Sequence, residues 1–223
     1  MTTTTSTPST PTVASVMPRG VAATLAAAGP LALAVAVAVL PYSAAAEPDA
    51  IPAAAASHPT AMSAVVWLEL LATLSLVTGA VIVGGIAARG NALWGRLGAV
   101  LTVAGFGAGV LSAFPPDLVA EAATHADTDP AVTAGVLHAM AAHPAAPVAV
   151  VLFLAGTFLG LICLGTALLR AGTAPRWAAT ALILSAPLHI VFTAVASNSV
   201  LAGLSWALTG AGMAGATLTH PHH

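Results

Sequence analysis

Six apolar runs, each about as long as a membrane-crossing helix, constrain the fold of this chain more than any motif does. A helix needs roughly 20 mostly apolar residues to cross the hydrocarbon core of a bilayer. Such a segment must be helical, because lipid offers no hydrogen-bond partners to a free backbone. Segments rich in Pro, Gly and charged residues separate the runs. The predicted spans are 21–42, 62–87, 93–114, 146–169, 177–196 and 199–218.

The composition agrees with a lipid-facing surface. Hydrophobic residues make up 58% of the 223 residues and charged residues only 5%, against roughly 25% charged residues in an ordinary soluble domain. The sequence therefore predicts an all-α fold, a polytopic transmembrane helix bundle of about six spans with a short outer interfacial helix. Five arginines in the whole chain do not make a basic nucleic-acid face. The single cysteine, Cys163, can form no intrachain disulfide.

The chain divides into a tail, a bundle and a second short tail. Residues 1–18 are rich in Thr, Ser and Pro and are expected to be disordered. Residues 19–218 form the bundle, and 219–223 are a His-rich tail to which we assign no function. Arg19, the first apolar run and "SAAAE" at 43–47 also resemble a signal peptide. That run exceeds the roughly 7–15 residues of a signal core, so a retained helix is favoured over cleavage.

The arginines predict how the chain is threaded through the membrane. With six spans, all five arginines fall on one side, and positively charged loops stay cytoplasmic. Both termini are therefore expected in the cytoplasm, with the bundle in the cell membrane. Six of the seven acidic residues fall on the other side, and only Glu69 lies inside a span. The arginines are Arg19, Arg89, Arg96, Arg170 and Arg176, and the six acidic residues are Glu47, Asp49, Asp117, Glu121, Asp127 and Asp129.

The longest segment outside the spans, 115–145, is expected to contain the outer helix. Asp129 and Pro130 are typical of a helix start, with Asp as N-cap and Pro in the first turn. Good helix formers follow, and Pro144 ends the pattern. We expect this helix on the outer membrane surface or over the mouth of the bundle.

Two motifs at the edges of that segment resemble a known family. The motifs are "AFPPD" at 113–117 and "GVLHAMAA" at 135–142, followed by an apolar span. They resemble uncharacterised bacterial membrane proteins grouped as domain of unknown function 998, over roughly the last two-thirds of the chain. The resemblance implies a small multi-span bundle and marks Asp117 and His138, but it implies no reaction. The insert between the motifs is longer than the family pattern.

Glu69 is the most informative polar residue, because an ionisable side chain inside a span is costly unless it is paired, hydrated or neutral. It lies seven residues from the predicted outer end of its span, and His189 lies seven residues from that of its own. Both are therefore expected roughly 10 Å deep. Pro187 should kink the helix beside His189. We expect a Glu69–His189 pair facing an outward pocket, and separate structural roles remain the alternative.

The other histidines allow a metal site as an alternative to a cofactor-free protein. His138 and His143 are five residues apart, about 140° around a helix, and do not share a face. With His125 they could still hold zinc or copper at the outer mouth. A haem between two spans is disfavoured, because His189 is the only histidine inside one. No cofactor is expected otherwise.

Three functions fit these residues. The favoured one is a non-enzymatic bundle that handles a small molecule or lipid, or a subunit of a larger complex. The second is a membrane enzyme that uses Glu69 and His189 as an acid–base pair, with Asp117 and His138 above them. The third is a small proton-coupled transporter. The expected partners are membrane lipid, an apolar small molecule and further protein subunits in a homo-oligomer or complex, but not nucleic acid.

Overall fold

The computed structural model describes residues 17–43, 46–112 and 114–219, and this part of the chain is all-α, as predicted. The expectations for 1–16 and for 220–223 lie outside the described residues. Met17 and Pro18, assigned above to the tail, are described, and Met17 packs partly buried against the core. The helices are α1 (Arg19–Val39), α2 (Ala50–Ser57), α3 (Pro59–Gly90), α4 (Ala92–Ser112), α5 (Phe114–His125), α6 (Pro130–Ala142), α7 (Ala145–Ala171), α8 (Arg176–Ile190) and α9 (Ser199–Leu218), with a π-helical turn at Val191–Val195.

Six helical segments in the described ranges are long and apolar enough to cross a membrane, which confirms the predicted number of spans. They are α1, α3, α4 with α5, α7, α8 with the π-helical turn, and α9. The chain thus has the architecture of a multi-pass membrane protein. On their outward faces these helices expose large apolar side chains, as lipid-facing surfaces do. Examples are Leu74, Leu111, Val151 and Val195.

The six long helices form a closed ring in chain order. α1 packs on α3, α3 on α4, α4 on α7, α7 on α8, α8 on α9, and α9 returns to α1. Glycines permit the close approach between neighbours. A Cβ on Gly105 of α4 would lie 2.4 Å from the Thr157 backbone nitrogen of α7. Gly109 of the same helix approaches α7 in a similar way, since a Cβ there would lie 2.6 Å from the Phe153 ring.

The two ends of the ring differ in charge. Gly29 of α1 lies against Leu76 of α3, and Gly79 of α3 against Ala26, so these helices are antiparallel. With this alternation, all five arginines come to one end of the ring, here called the arginine end. The opposite end, with Asp49, Asp117 and the helices between the spans, is called the acidic end. Trp94 and Trp177 are partly exposed near the arginine end. Tryptophan is enriched where transmembrane helices reach the membrane–water interface.

Three short helices, α2, α5 and α6, form a cap at the acidic end. α6 confirms the helix predicted within 115–145, and the Asp129 side chain accepts a hydrogen bond from the Ala131 N–H as its N-cap. Ile51, Ala120 and Leu137 bring one buried side chain from each cap helix into a shared apolar cluster. This cluster also takes Met62 from α3, so it fixes the cap to the ring.

Two of the segments that separate the predicted spans are partly helical. "FPPD" at 114–117 forms the start of α5. Pro115 and Pro116 fall in the first turn of α5, where a missing N–H leaves no helical bond unmade. The segment at 41–52, "PYSAAAEPDAIP", ends in the first residues of α2, which begins at Ala50.

The α8–α9 hairpin is as short as predicted and contains an irregular turn. Pro187 lies inside α8, and the π-helical turn Val191–Val195 follows it. Proline removes a helical hydrogen bond, which accounts for looser winding nearby. Ser197 has a positive φ of 47°, and the Asn198 side chain accepts the Leu201 N–H as the cap of α9.

Candidate functional site

A cavity of about 360 Å³ lies inside the ring in its acidic half. Every helix of the ring contributes to its walls, and α5 closes one side with Phe114. Toward the arginine end the ring is filled by apolar side chains. These include Val83, Leu164, Leu168, Leu182 and Met213, all fully buried. The cavity therefore sits between a solid apolar half and the cap.

Glu69 lines the cavity and lies against Asp117, which in turn contacts Tyr42; these three residues are here called the acid wall. The Tyr42 hydroxyl donates a hydrogen bond to Asp117 Oδ1. The Asp117 carboxyl group lies beside that of Glu69, close enough for a hydrogen bond if a proton is held between them. Both are buried, with 7% and 9% of their surface exposed. Burial and the adjacent Asp117 raise the pKa of Tyr42 above its ordinary value, which keeps its hydroxyl a donor.

Among the described residues, the acid wall has fewer hydrogen-bond donors than carboxyl oxygens that need them. Two carboxylates cannot hydrogen-bond to each other unless at least one proton lies between them. Tyr42 supplies one donor, on Asp117. Glu69 Oε2 is buried and receives none from the described residues. The pair must therefore take up a proton or accept a donor from a bound molecule.

His189 and Trp206 also line the cavity, and Ser205 contacts His189; these three residues are here called the histidine wall. The Ser205 hydroxyl donates to the Ala202 carbonyl oxygen at 2.6 Å. Its oxygen lies 3.1 Å from His189 Nδ1. Since the serine proton is already used, we assign Nδ1 as the donor, which leaves Nε2 as the acceptor of a neutral imidazole. The imidazole meets Trp206 edge-on, with ring centroids 5.2 Å apart.

Aromatic rings continue the histidine wall into the cavity. Phe106 and Phe153 lie 6.0 and 6.4 Å from Trp206 between ring centroids, within the range of favourable aromatic pairs. The π-helical turn adds Thr193, whose Oγ1 is buried without a hydrogen-bond partner among the described residues. The cavity thus combines a large apolar surface with a few unmatched polar atoms.

Glu69 and His189 line the same cavity but do not form the expected pair. Among the described residues, Glu69 bonds to Asp117 and His189 to Ser205. Their depths also differ. Glu69 is twenty residues from Arg89 and His189 thirteen from Arg176, roughly 30 and 20 Å from the arginine end. The equal-depth estimate was wrong because α3 extends well beyond the thickness of a bilayer at the acidic end.

Of the two residues marked by the family resemblance, the structure brings only Asp117 to the cavity region. His138 instead contacts Asp49 across the cap, Nε2 to Oδ1 at 3.0 Å, with both side chains largely exposed. His138 therefore does not lie above Glu69 and His189 as an additional site residue.

The three histidines considered for a metal are held apart. His125 contacts Glu121 on its own helix, and His143 Nδ1 accepts the Ala145 N–H. In the ranges that the structure describes, no group of three or more His, Cys, Asp or Glu side chains could hold a metal ion. The alternative of a zinc or copper site on His125, His138 and His143 has no support in this arrangement.

Sequence reasoning missed Tyr42 and Trp206. Tyr42 is the only tyrosine of the chain and the last residue of the first predicted span, which is where an amphipathic aromatic residue meets the membrane interface. That position was a usable signal for Tyr42. Trp206 lies inside the sixth run like any other large apolar residue, and its place in the cavity depends on how the ring closes.

No family model, curated protein or solved structure matches this chain.

Proposed function

We propose that this chain is a non-enzymatic membrane protein that binds an apolar small molecule in the cavity between the acid wall and the histidine wall. The observation that carries the proposal is a cavity walled mainly by apolar side chains and lined by Glu69, whose buried Oε2 receives no donor from the described residues. Ligand pockets usually have about 300–1,000 Å³, apolar walls and a few polar groups that orient the ligand. This cavity has those properties.

Binding is favoured over catalysis by the hydrogen bonds of the histidine wall. A serine nucleophile needs a base that accepts its proton. Here the Ser205 hydroxyl donates to the Ala202 carbonyl oxygen, and His189, with Nδ1 assigned as the donor, does not accept the serine proton. Glu69 and His189 also act through different partners. The enzyme with a Glu69–His189 acid–base pair is therefore the weaker reading.

A proton-coupled transporter is the second candidate, because the Glu69–Asp117 pair must hold a proton when no donor is bound. Transport would also require the arginine half of the ring, now filled with leucines, to open. Liposomes that contain the chain test this directly. Ligand-driven acidification or alkalinisation of the lumen would favour transport, and ligand binding without proton movement would favour the binding protein.

We further propose that the chain lies in the cell membrane with both termini in the cytoplasm. The support is the collection of all five arginines at one end of the ring, together with the packing of α1 as a full member of the ring, which favours a retained helix. Single cysteines in a Cys163→Ala background provide the test. Cysteines near 50 and 125 should react with an impermeant reagent outside cells, and those near 91 and 173 only after lysis. The reverse pattern would contradict the proposed orientation.

Membership of the family grouped as domain of unknown function 998 is also a proposal. Its support is that Asp117, one of the two residues the resemblance marks, contributes to the acid wall. His138, the other, lies on the exposed side of the cap, which weakens the resemblance at that motif.

The binding proposal can be tested by mass spectrometry of the intact chain released from native membranes. We expect a bound species of a few hundred daltons. Val110 lines the cavity, so Val110→Trp should fill it and remove that species. The matched control is Val100→Trp, which places the same side chain on an exposed position of the same helix. Equal occupancy in both variants would place the ligand elsewhere and contradict the proposal.

A further inference from the structure

The charges around the cavity determine which ligands it can accept. Its lining contains Glu69 but, among the described residues, neither Arg nor Lys. The five arginines lie at the far end of the ring, and the chain has no lysine. Among the described residues, the Glu69–Asp117 pair therefore has no arginine or lysine beside it. An anionic ligand, such as a fatty acid or a phospholipid headgroup, would meet like charge without compensation.

The hydrogen-bonding groups add a second constraint. Glu69 is nine-tenths buried and lines the cavity, and no described residue donates to its Oε2. A donor on the ligand would satisfy this atom. A positively charged donor would do so with a charge-assisted bond, which is about twice as strong as a neutral one. The acid wall is thus suited to an N–H group that carries positive charge.

The aromatic side chains add a third constraint, because cations are attracted to aromatic faces. Phe106, Phe153 and Trp206 form one connected group on the cavity lining. The remaining lining is aliphatic, for example Leu33, Val37 and Leu76. A compact apolar body would fill this volume while its charged end lies toward the acid wall.

We propose, resting on the binding function above, that the ligand is a lipophilic amine bound as its ammonium ion, with an N–H donated to Glu69. When the amine is bound, its ammonium group supplies the hydrogen-bond donor and the positive charge. When no amine is bound, a proton on the Glu69–Asp117 pair supplies both. The aromatic group and the aliphatic lining contact the hydrocarbon part of the amine.

Three probes with the same apolar body separate the contribution of the positive charge from that of the N–H donor. They are 1-adamantylamine, its neutral counterpart 1-adamantanol, and N,N,N-trimethyl-1-adamantylammonium, which keeps the charge but has no N–H. The full chain in phosphatidylcholine nanodiscs is titrated with each probe, and apparent Kd is obtained from the concentration dependence of the unfolding temperature. We expect the amine to bind at least about ten-fold more tightly than the alcohol and more tightly than the trimethyl compound.

Glu69→Gln should weaken amine binding about ten-fold and leave alcohol binding nearly unchanged. Glu121→Gln, the same substitution in the cap and outside the cavity lining, is the matched control and should change neither. If Glu69→Gln does not fold, the comparison of the three probes on the unaltered chain still decides the proposal.

The outcomes distinguish this inference from the function on which it rests. Equal binding of amine and alcohol would overturn the ammonium ligand and leave the binding function standing. Amine preference that survives Glu69→Gln would overturn the contact with Glu69. Binding of none of the probes, together with no co-purified molecule in the mass spectrum, would overturn both.

Discussion

The two walls of the cavity are built in different ways. The histidine wall comes from one hairpin, with His189 and Ser205 only 16 residues apart in the chain, and Trp206 is packed on its neighbours through aromatic contacts. The acid wall joins three separate elements. Tyr42 follows α1, Glu69 lies in α3 and Asp117 in α5, and Tyr42 and Asp117 are 75 residues apart.

This difference indicates which wall is rigid and which can respond. Packing of large side chains in a continuous hairpin holds the histidine wall. The acid wall depends on hydrogen bonds between the ring and α5 of the cap, in addition to the apolar cluster that fixes the cap, so any displacement of α5 would separate Asp117 from Tyr42 and Glu69. We therefore expect the acid wall to be the side of the cavity that changes on ligand binding.

The largest effect should come from removing the packing of the histidine wall. Trp206 is 5% exposed, and Trp206→Ala should lower the free energy of unfolding by about 3 kcal/mol, as for large-to-small changes in cores. Trp67→Ala is the matched control, because Trp67 is 68% exposed on the outer face of α3. Unfolding in detergent micelles measures both. Equal losses would mean that Trp206 does not carry the histidine wall.

A smaller effect is expected on the acid wall. Asp117→Ala removes the acceptor of Tyr42 and the neighbour of Glu69, and should cost about 2 kcal/mol of unfolding free energy. Asp117→Asn keeps an acceptor for Tyr42 and adds a donor for Glu69, so it should cost less than about 1 kcal/mol. The same unfolding measurement applies. If Asn is as harmful as Ala, the wall depends on the charge of Asp117 and not on its hydrogen bonds.

Tyr42→Phe should cost about 1 kcal/mol, the usual value of one hydrogen bond. In the Asp117→Ala background it should cost almost nothing further, because the partner is already absent. Combined with His189→Ala, it should be additive to within about 0.5 kcal/mol. Strong coupling between Tyr42 and His189 would show that the two walls form one network and would contradict their separation.

The acid wall should also give a distinct response to alkaline pH. The pKa of Tyr42 is raised in the folded chain, mainly by burial and then by Asp117. The folded state then holds the phenol proton more tightly than the unfolded state, whose tyrosine pKa is about 10. Stability from this group is complete below pH of about 10 and is lost as pH rises above it. Tyr42→Phe should lose less stability than the unaltered chain above that pH, and an identical pH dependence would contradict the buried hydroxyl.

The smallest effect is expected at the exposed face of the cap. His138 and Asp49 are 52% and 77% exposed, and exposed pairs contribute little because water screens them. His138→Ala should change the free energy of unfolding by less than about 0.5 kcal/mol and leave probe binding unchanged. A ten-fold loss of binding would return His138 to the site and make the cap part of the cavity.

The same contrast determines how far the sequence could predict this molecule. The six spans and the α6 start at Asp129 follow from local apolar length and capping chemistry, and both were predicted. Glu69 and His189 were recognised because polar residues in spans are costly. Their true partners, Asp117 and Ser205, were not, because pairing depends on how the helices close into a ring. Tyr42 was missed for the same reason, since its contact is made with a distant residue.

The central claim is that one cavity separates the two walls and is occupied by a ligand that touches both. Cryo-electron microscopy of the full chain in nanodiscs, prepared with 1-adamantylamine, tests this most directly. We expect density between Glu69 and Trp206, with the amine nitrogen within hydrogen-bonding distance of the Glu69 carboxylate. A ring closed on itself, with Glu69 bonded directly to His189 and no density between the walls, would contradict the account.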